Sequence, residues 1–198
     1  LAYPHSGYGT RFRIWMESKN PEPYLSFGNG SAMRVSPVGW AFDTIDQVLG
    51  EAKASAECTH NHPEGIKGAQ AIALAIFRAR TGKNKAFIQN EITTRFDYDL
   101  TSSLDQIRPD YFFDETCQNT VPQAITAFLE AEDFEDAIRK AISLGGDADT
   151  LAAITGSIAE AYFGGVPDHI TKELQERIPP GLWQVIGRFN HHINRDLA

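Results

Sequence analysis

The sequence predicts an all-α fold built as one compact domain, and three observations carry that prediction. Apolar residues recur at the i, i+3, i+4, i+7 spacing of a buried helical face in several separate stretches after residue 44. The strict two-residue alternation of a half-buried strand is nearly absent. The segments between the periodic stretches carry the Gly, Pro, Asn, Asp and Ser that end helices and turn the chain.

In chain order, Gly7-Tyr8-Gly9 precedes a short helix containing Phe12 and Trp15. Residues 18–30 read as a long ordered loop. Thr44 supplies an N-cap oxygen for a helix through Val48, Leu49 and Ala52 towards Cys58. Pro63 suits the first turn of the next helix, in which Ile66, Ala69, Ala73, Ile76 and Phe77 repeat before Gly82 ends it. Residues 71–77 of that helix are almost wholly apolar, so it belongs at the centre of the protein. Residues 97–120 read as a second long loop, and long loops in small domains tend to be functional. Val121, Ile125, Phe128 and Leu129 mark a short helix opened by Pro122. Two further helices follow, on Phe134, Ile138 and Ile142 and on Leu151, Ile154, Ile158 and Tyr162. After Pro179-Pro180 a last stripe runs through Leu182, Val185, Ile186, Phe189 and Ile193.

Composition narrows the functional classes. A chain of 198 residues with 42% apolar content and 11% aromatics can bury a sizeable core. The net charge of −8 argues against nonspecific binding to nucleic acid. Cys58 and Cys117 form neither a disulfide framework nor a CxxC metal pattern, which points to a reducing, cytoplasmic setting. No apolar run approaches membrane-spanning length. The start Leu1-Ala2-Tyr3-Pro4-His5 is neither an initiator methionine nor a signal peptide, and is expected of a fragment or processed chain.

The most informative stretch is Leu144-Gly145-Gly146-Asp147-Ala148-Asp149-Thr150-Leu151, which sits between two helical patterns. The glycines allow a left-handed helix end, and Asp149 stands where an N-cap belongs. Asp147 and Asp149 on extended backbone can point the same way, with Thr150 adding a neutral oxygen at the positive end of a helix dipole. Clustered oxygens of this kind suit Mg²⁺ or Ca²⁺ rather than zinc. The same run also reads as a glycine C-cap followed by an aspartate N-cap, which needs no metal.

Three other motifs bear on ligand binding. Gly7-Tyr8-Gly9 before a helix can seat a phosphate on exposed N–H groups, or be a plain turn. Ser26-Phe27-Gly28-Asn29-Gly30-Ser31-Ala32-Met33-Arg34 allows close backbone approach to a ligand, with Phe27 placed to stack on a base or ribose; it also reads as a connecting loop whose Phe27 and Met33 cover the core. In Thr59-His60-Asn61-His62-Pro63-Glu64, the HxH pattern lacks the further ligands of a zinc site, and His191-His192 reads as a solvated helix end. Asn61 or His62 instead caps the helix that Pro63 opens, leaving His60 either structural or facing a ligand.

In order and spacing, Gly7-Tyr8-Gly9, the 28–34 loop, residues 59–64, Val121-Pro122 with Ala124-Ile125, and Gly145-Gly146-Asp147-Ala148-Asp149-Thr150 resemble the ADP-ribosylglycohydrolase family. The likeness covers about residues 3 to 165. It implies an orthogonal helical bundle of that family's type and hydrolysis of the N- or O-glycosidic bond between ADP-ribose and a modified protein side chain or related acceptor. It also implies a binuclear Mg²⁺ site. Asp147, Asp149 and Thr150 match the family's C-terminal metal motif, with Asp147 and Asp149 also the catalytic pair. Gly7, Tyr8 and Gly9 fall near the diphosphate; Ser26, Phe27, Gly28, Asn29, Gly30 and Met33 fall around the ribose and adenine, with His60 nearby. The family's N-terminal Thr-Asp-Asp motif and an early acidic residue have no counterpart here. The expectation is therefore half of a two-ion site, with none or one of the ions held by this chain and a separate N-terminal segment as a partner. A non-catalytic ADP-ribose binder or structural homologue is the alternative.

Overall fold

The computed structural model describes residues 6–193, and among them the protein is helical with no strand. The first five residues, on which the reading of a fragment rests, lie outside the described part. Twelve α-helices occur in it: α1 (Thr10–Glu17), α2 (Gly30–Met33), α3 (Ser36–Ala41), α4 (Ile45–Glu57), α5 (Pro63–Arg80), α6 (Lys85–Phe96), α7 (Leu104–Ile107), α8 (Cys117–Glu130), α9 (Phe134–Ser143), α10 (Ala148–Phe163), α11 (Asp168–Arg177) and α12 (Pro180–His192), with a 3₁₀ turn over Arg108–Asp110 after α7.

Helix α5 is the centre of the core, as its apolar run predicts. Ile72, Leu74 and Ile76 are fully buried, and each such side chain contributes about 1.5–3 kcal/mol relative to exposure. The helix packs against α2, α3, α4, α6, α8 and α10. Close approach is possible because small residues face the neighbours. A Cβ on Gly39 would stand 2.6 Å from Ile76, and one on Gly68 would stand 2.6 Å from Cys117 Sγ. Helices α8, α9 and α10 pack mutually on the far side. Thr155 there donates a 2.9 Å hydrogen bond to the Ala124 carbonyl, so its hydroxyl is satisfied inside the core.

Local chemistry explains most helix boundaries. Thr44 accepts from the Gln47 N–H at 3.3 Å, and His62 Nδ1 accepts from Glu64 N–H at 3.2 Å, making His62 the N-cap of α5. Gly82, at φ 79°, follows the end of that helix. No helix among the described residues is long and apolar enough to cross a membrane.

Several boundaries differ from those read in the sequence. Helix α8 begins at Cys117, so Pro122 lies inside the helix rather than opening it. The reason is tertiary: the Cys117 N–H donates to the Phe27 carbonyl at 2.9 Å, so a neighbouring loop satisfies an N–H that the first turn leaves open. The stretch 97–120 is likewise shorter as a loop, because a Ser103–Gln106 capping box starts α7 within it. Helix α6 buries only the narrow stripe Ile88, Ile92 and Phe96; Asn84 caps it through the Phe87 N–H at 2.9 Å, and Asp97 ends it in the left-handed region. Arg78 of α5 holds α6 through two 2.7 Å bonds to Glu91. Ile142 is exposed rather than part of the inward stripe.

Candidate functional site

The site forms where the start of α10 meets the loop before α2 and the segment leading into α8. Gly145 and Gly146 both take positive φ (76° and 61°), turning the chain sharply out of α9. A Cβ on Gly146 would come within 2.8 Å of the Tyr111 ring and 3.0 Å of the Phe112 carbonyl, so glycine is required there for space as well as for conformation. Helix α10 then starts at Ala148. Its N-cap is Asp147, not Asp149, and Asp147 makes no side-chain cap hydrogen bond. Asp149 falls in the first helical turn, where its Oδ1 accepts from the Thr150 N–H at 2.9 Å. The two carboxylates are therefore neighbours across a helix start rather than along extended backbone.

What occupies Asp147 instead is Asn29. The Asn29 amide donates to Asp147 Oδ2 at 2.6 Å and to Thr120 Oγ1 at 3.1 Å. Asn29 is itself pinned: residues 27–29 pair antiparallel with 115–117, with Gly28 bridged to Thr116 and the Asn29 N–H donating to the Glu115 carbonyl at 2.7 Å. Beneath this pairing, Cys117 Sγ donates to the Gly28 carbonyl at 3.2 Å, and Ser31 Oγ donates to the Gly65 carbonyl at 2.7 Å. The Cys117 thiol is buried, and burial pushes its pKa up to about 11; Cys58, the other cysteine, is exposed.

The electrostatics favour an added positive charge. Burial pushes the Asp147 carboxyl above its ordinary pKa; neighbouring Asp149 adds to this, while hydrogen bonds from Asn29 and Thr150 oppose it. Tyr111 Oη is buried without a hydrogen-bond partner among the described residues. Its burial, with Asp114 and Asp147 nearby, holds the phenol up at about 12. Thr120 acts in the opposite direction. At Asp114, burial also pushes upward, but hydrogen bonds from Thr116 and Asn119 outweigh it and leave the carboxyl below its ordinary value.

The chemistry of the donors fits a hard divalent cation in part. Asp147 and Asp149 supply carboxylate oxygens and Thr150 a hydroxyl, which also makes a 3.6 Å contact to Met33 Sδ. Among the described residues, no group of three or more His, Cys, Asp or Glu is placed to hold a metal.

The other sequence candidates fall into two groups. Ser26, Phe27 and Gly28 line an open cleft of about 410 Å³ with Arg11, Phe113, Asp114, Glu115 and Thr116. Asn29 and Gly30 continue from it to Asp147, while Met33 is exposed beside Thr150. Gly7, Tyr8 and Gly9 lead into α1, whose Arg11 lines that cleft. Their helix α1 has no buried residue; the guanidinium of Arg11 links it to the rest, hydrogen-bonded to the Tyr24 carbonyl and 4.8 Å from the Tyr24 ring centre. His60 is buried behind the 28–30 loop, and burial, then Arg34 and Arg11, lower its pKa to about 4. Sequence reasoning missed Thr120, Tyr111 and Asp114. The only signal was the length of the 97–120 segment, since nothing local ties those residues to Asp147.

Comparison with known proteins shows a family and a shared fold. The family model described as ADP-ribosylglycohydrolase matches residues 4–196. The chain is 30% identical over 184 residues to ADP-ribosylhydrolase ARH3 of Homo sapiens, covering 70% of this chain and 51% of that protein. It is 27% identical to ADP-ribosylarginine hydrolase Tri1 of Pseudomonas putida, covering 82% and 48% respectively. The chain thus spans about half the length of the curated relatives it matches. A solved structure titled ADP-ribosylglycohydrolase-related protein complex shares the fold at a TM-score of 0.69 and 23% identity, over 84% of this chain and 63% of the other.

Proposed function

We propose that this chain, which belongs to the ADP-ribosylglycohydrolase family, provides the ADP-ribose cleft and part of the metal site of a Mg²⁺-dependent hydrolase. The bond cleaved is the glycosidic bond between ADP-ribose and a modified protein side chain or related acceptor. The observation that carries the reading is the Asn29–Asp147 hydrogen bond, which draws the glycine-rich loop and the paired aspartates into one place.

Cleavage at a ribose passes through an oxocarbenium-like transition state. Asp147, Asp149 and Thr150 would hold the cation, which when bound orients ribose hydroxyls and activates water. The protein's own residues do the rest. A carboxylate of the Asp147–Asp149 pair accepts the proton of the attacking water. Ser26, Phe27, Gly28 and Gly30 receive the ribose and adenine, with Phe27, 42% exposed, free to stack. Gly7, Tyr8 and Gly9 stand near the diphosphate, which the Gly7 and Gly9 N–H groups receive while the Tyr8 N–H is held by the Ser6 carbonyl at 2.7 Å, so that remote contacts fix the reacting sugar. The setting is cytoplasmic, and a further acidic segment supplies the remaining metal ligands.

In the full-length protein, Asp147→Ala should abolish release of ADP-ribose from an ADP-ribosylated protein, and retained turnover would reject the assignment. Because this chain brings two carboxylates to the site rather than a full ligand set, a non-catalytic ADP-ribose binder is the second reading. Calorimetry with ADP-ribose, with and without Mg²⁺, separates the two when paired with the turnover assay.

A further inference from the structure

A second polar cavity, of about 400 Å³, lies between α5, the turn after α6 and α8. None of the residues placed above in the ADP-ribose cleft or at the cation lines it. Its walls carry Glu64, Lys67, Asp97, Tyr98, Asp99 and Gln123. Tyr98 is 4% exposed, and its Oη has no hydrogen-bond partner among the described residues. The same holds for Gln123 Oε1 and Glu64 Oε2, which are also buried. Buried polar atoms are rarely left unpaired, so three around one cavity call for a partner from outside the chain. Pro122 adds a further acceptor: it has no N–H, which leaves the Gln118 carbonyl without its helical donor, and both residues line the same cavity.

Charge decides what kind of partner fits. The lining holds the carboxylates of Glu64, Asp97 and Asp99 against the single ammonium of Lys67. Lys67 Nζ lies 3.6 Å from Glu64 Oε2 and 4.3 Å from the centre of the Tyr98 ring, so one wall already accommodates a cation. Asp97 and Asp99 enter no ion pair among the described residues. Hydrogen bonds from the Thr101 hydroxyl (2.6 Å) and N–H (2.9 Å) lower the Asp99 pKa and keep it charged. Burial, then Cys117 and Glu64, raise the Tyr98 pKa, so its phenol stays neutral. The cavity is thus negative and rich in acceptors. Among the described residues no group of three or more His, Cys, Asp or Glu is placed to hold a metal. Acceptors spread around a cavity match instead a planar cation with five N–H donors.

We propose that this cavity binds a guanidinium group, paired with the exposed carboxylates of Asp97 and Asp99 and hydrogen-bonded to Tyr98 Oη, Gln123 Oε1 and the Gln118 carbonyl. The site is separate from the ADP-ribose cleft and stands on this chain's geometry alone. Lys67 is the part that yields: its flexible stem lets the ammonium leave the Tyr98 ring as the guanidinium takes its place beside Glu64. The guanidinium belongs either to an arginine side chain of a polypeptide or to a small free guanidine.

Calorimetric titration at constant ionic strength tests the site, with N-acetylarginine N-methylamide and agmatine as probes and N-acetyllysine N-methylamide as the control. Both guanidinium probes should bind about tenfold more tightly than the lysine probe, and the tighter of the two names the source. Tyr98→Phe should weaken binding about fivefold to tenfold while leaving the melting temperature unchanged or raised, because it removes a buried hydroxyl that has no partner. A tyrosine with only a structural role would lose stability and leave affinity alone. Asp97→Asn, at a left-handed position that asparagine tolerates, should weaken binding about threefold to fivefold. Lys67→Met should tighten it by removing the competing cation. The proposal is overturned by no binding of either guanidinium probe at roughly 10 mM, by equal affinity for the lysine probe, or by native affinity in Tyr98→Phe.

Discussion

Asn29 and Asp147 stand 118 positions apart in the chain, and one 2.6 Å hydrogen bond joins them. The bond couples the fold to the candidate site, because Asn29 also holds Thr120 at 3.1 Å and is buried at 7% exposure. Asn29→Ala should cost about 1–3 kcal/mol of stability. Chemical denaturation reads this directly, and a midpoint within error of the native protein would show that the contact carries no weight.

Asp147 gives a prediction whose sign depends on cation. Its folded pKa lies above the unfolded value, so its contribution to stability is present at low pH and lost as pH rises through the folded pKa. At neutral pH, without divalent ions, Asp147→Asn should therefore leave the melting temperature unchanged or raise it. Any rise that Mg²⁺ produces in the native protein should vanish in the variant. A Mg²⁺-dependent rise that survives in Asp147→Asn would remove the residue from the metal site.

His60 acts in the opposite sense. Its folded pKa, about 4, lies below the unfolded value near 6.5, so its contribution is full above about pH 6.5 and is lost as pH falls towards 4. Stability measured across that window should rise with pH more steeply in the native protein than in His60→Gln. Equal slopes would mean that the imidazole titrates in the folded protein as it does in the unfolded chain.

The two adjacent glycines before α10 should respond unequally to alanine. Gly145→Ala meets open space and only the left-handed conformation, which costs about 1–2 kcal/mol. Gly146→Ala carries the same conformational cost and also drives a methyl to 2.8 Å from the Tyr111 ring, adding about 1–3 kcal/mol more. Paired thermal melts should place Gly146→Ala clearly lower; similar melting temperatures would show that the Tyr111 loop yields easily.

A third glycine tests the packing beneath the site. Gly68→Ala puts a Cβ 2.6 Å from Cys117 Sγ and should destabilise by about 1–3 kcal/mol. Adding Cys117→Ala should recover part of that loss, because the sulfur that is struck is gone. A double variant no better than the simple sum of the two single changes would place the strain elsewhere.

What the sequence disclosed was what local chemistry controls. The apolar run of α5, the caps at Thr44 and His62, and the Gly145-Gly146 break all act within a few residues of where they are read. Long-range causes stayed hidden. The start of α8 depends on a bond from Cys117 N–H to Phe27, and the cap position at Asp147 rather than Asp149 goes with an amide contributed by Asn29. Helix α6 escaped notice because its buried Ile88, Ile92 and Phe96 are few and its amphipathic contrast is weak. In the site, Asp147, Asp149, Thr150 and the 26–30 loop could be named in advance, whereas Thr120 and Tyr111 could not, since only folding brings residues 111–120 beside them.

The contrast between the two thiols has a practical side. Alkylating reagents are attacked by the thiolate, so Cys117, sealed under the Gly28 carbonyl, should be spared while Cys58 is modified. A fluorine or fluorescent tag would then attach at one address without any engineering. Because Cys58 Sγ sits 3.6 Å from Arg34, that tag would be a reporter placed beside the guanidinium that holds Ser55 and Thr59.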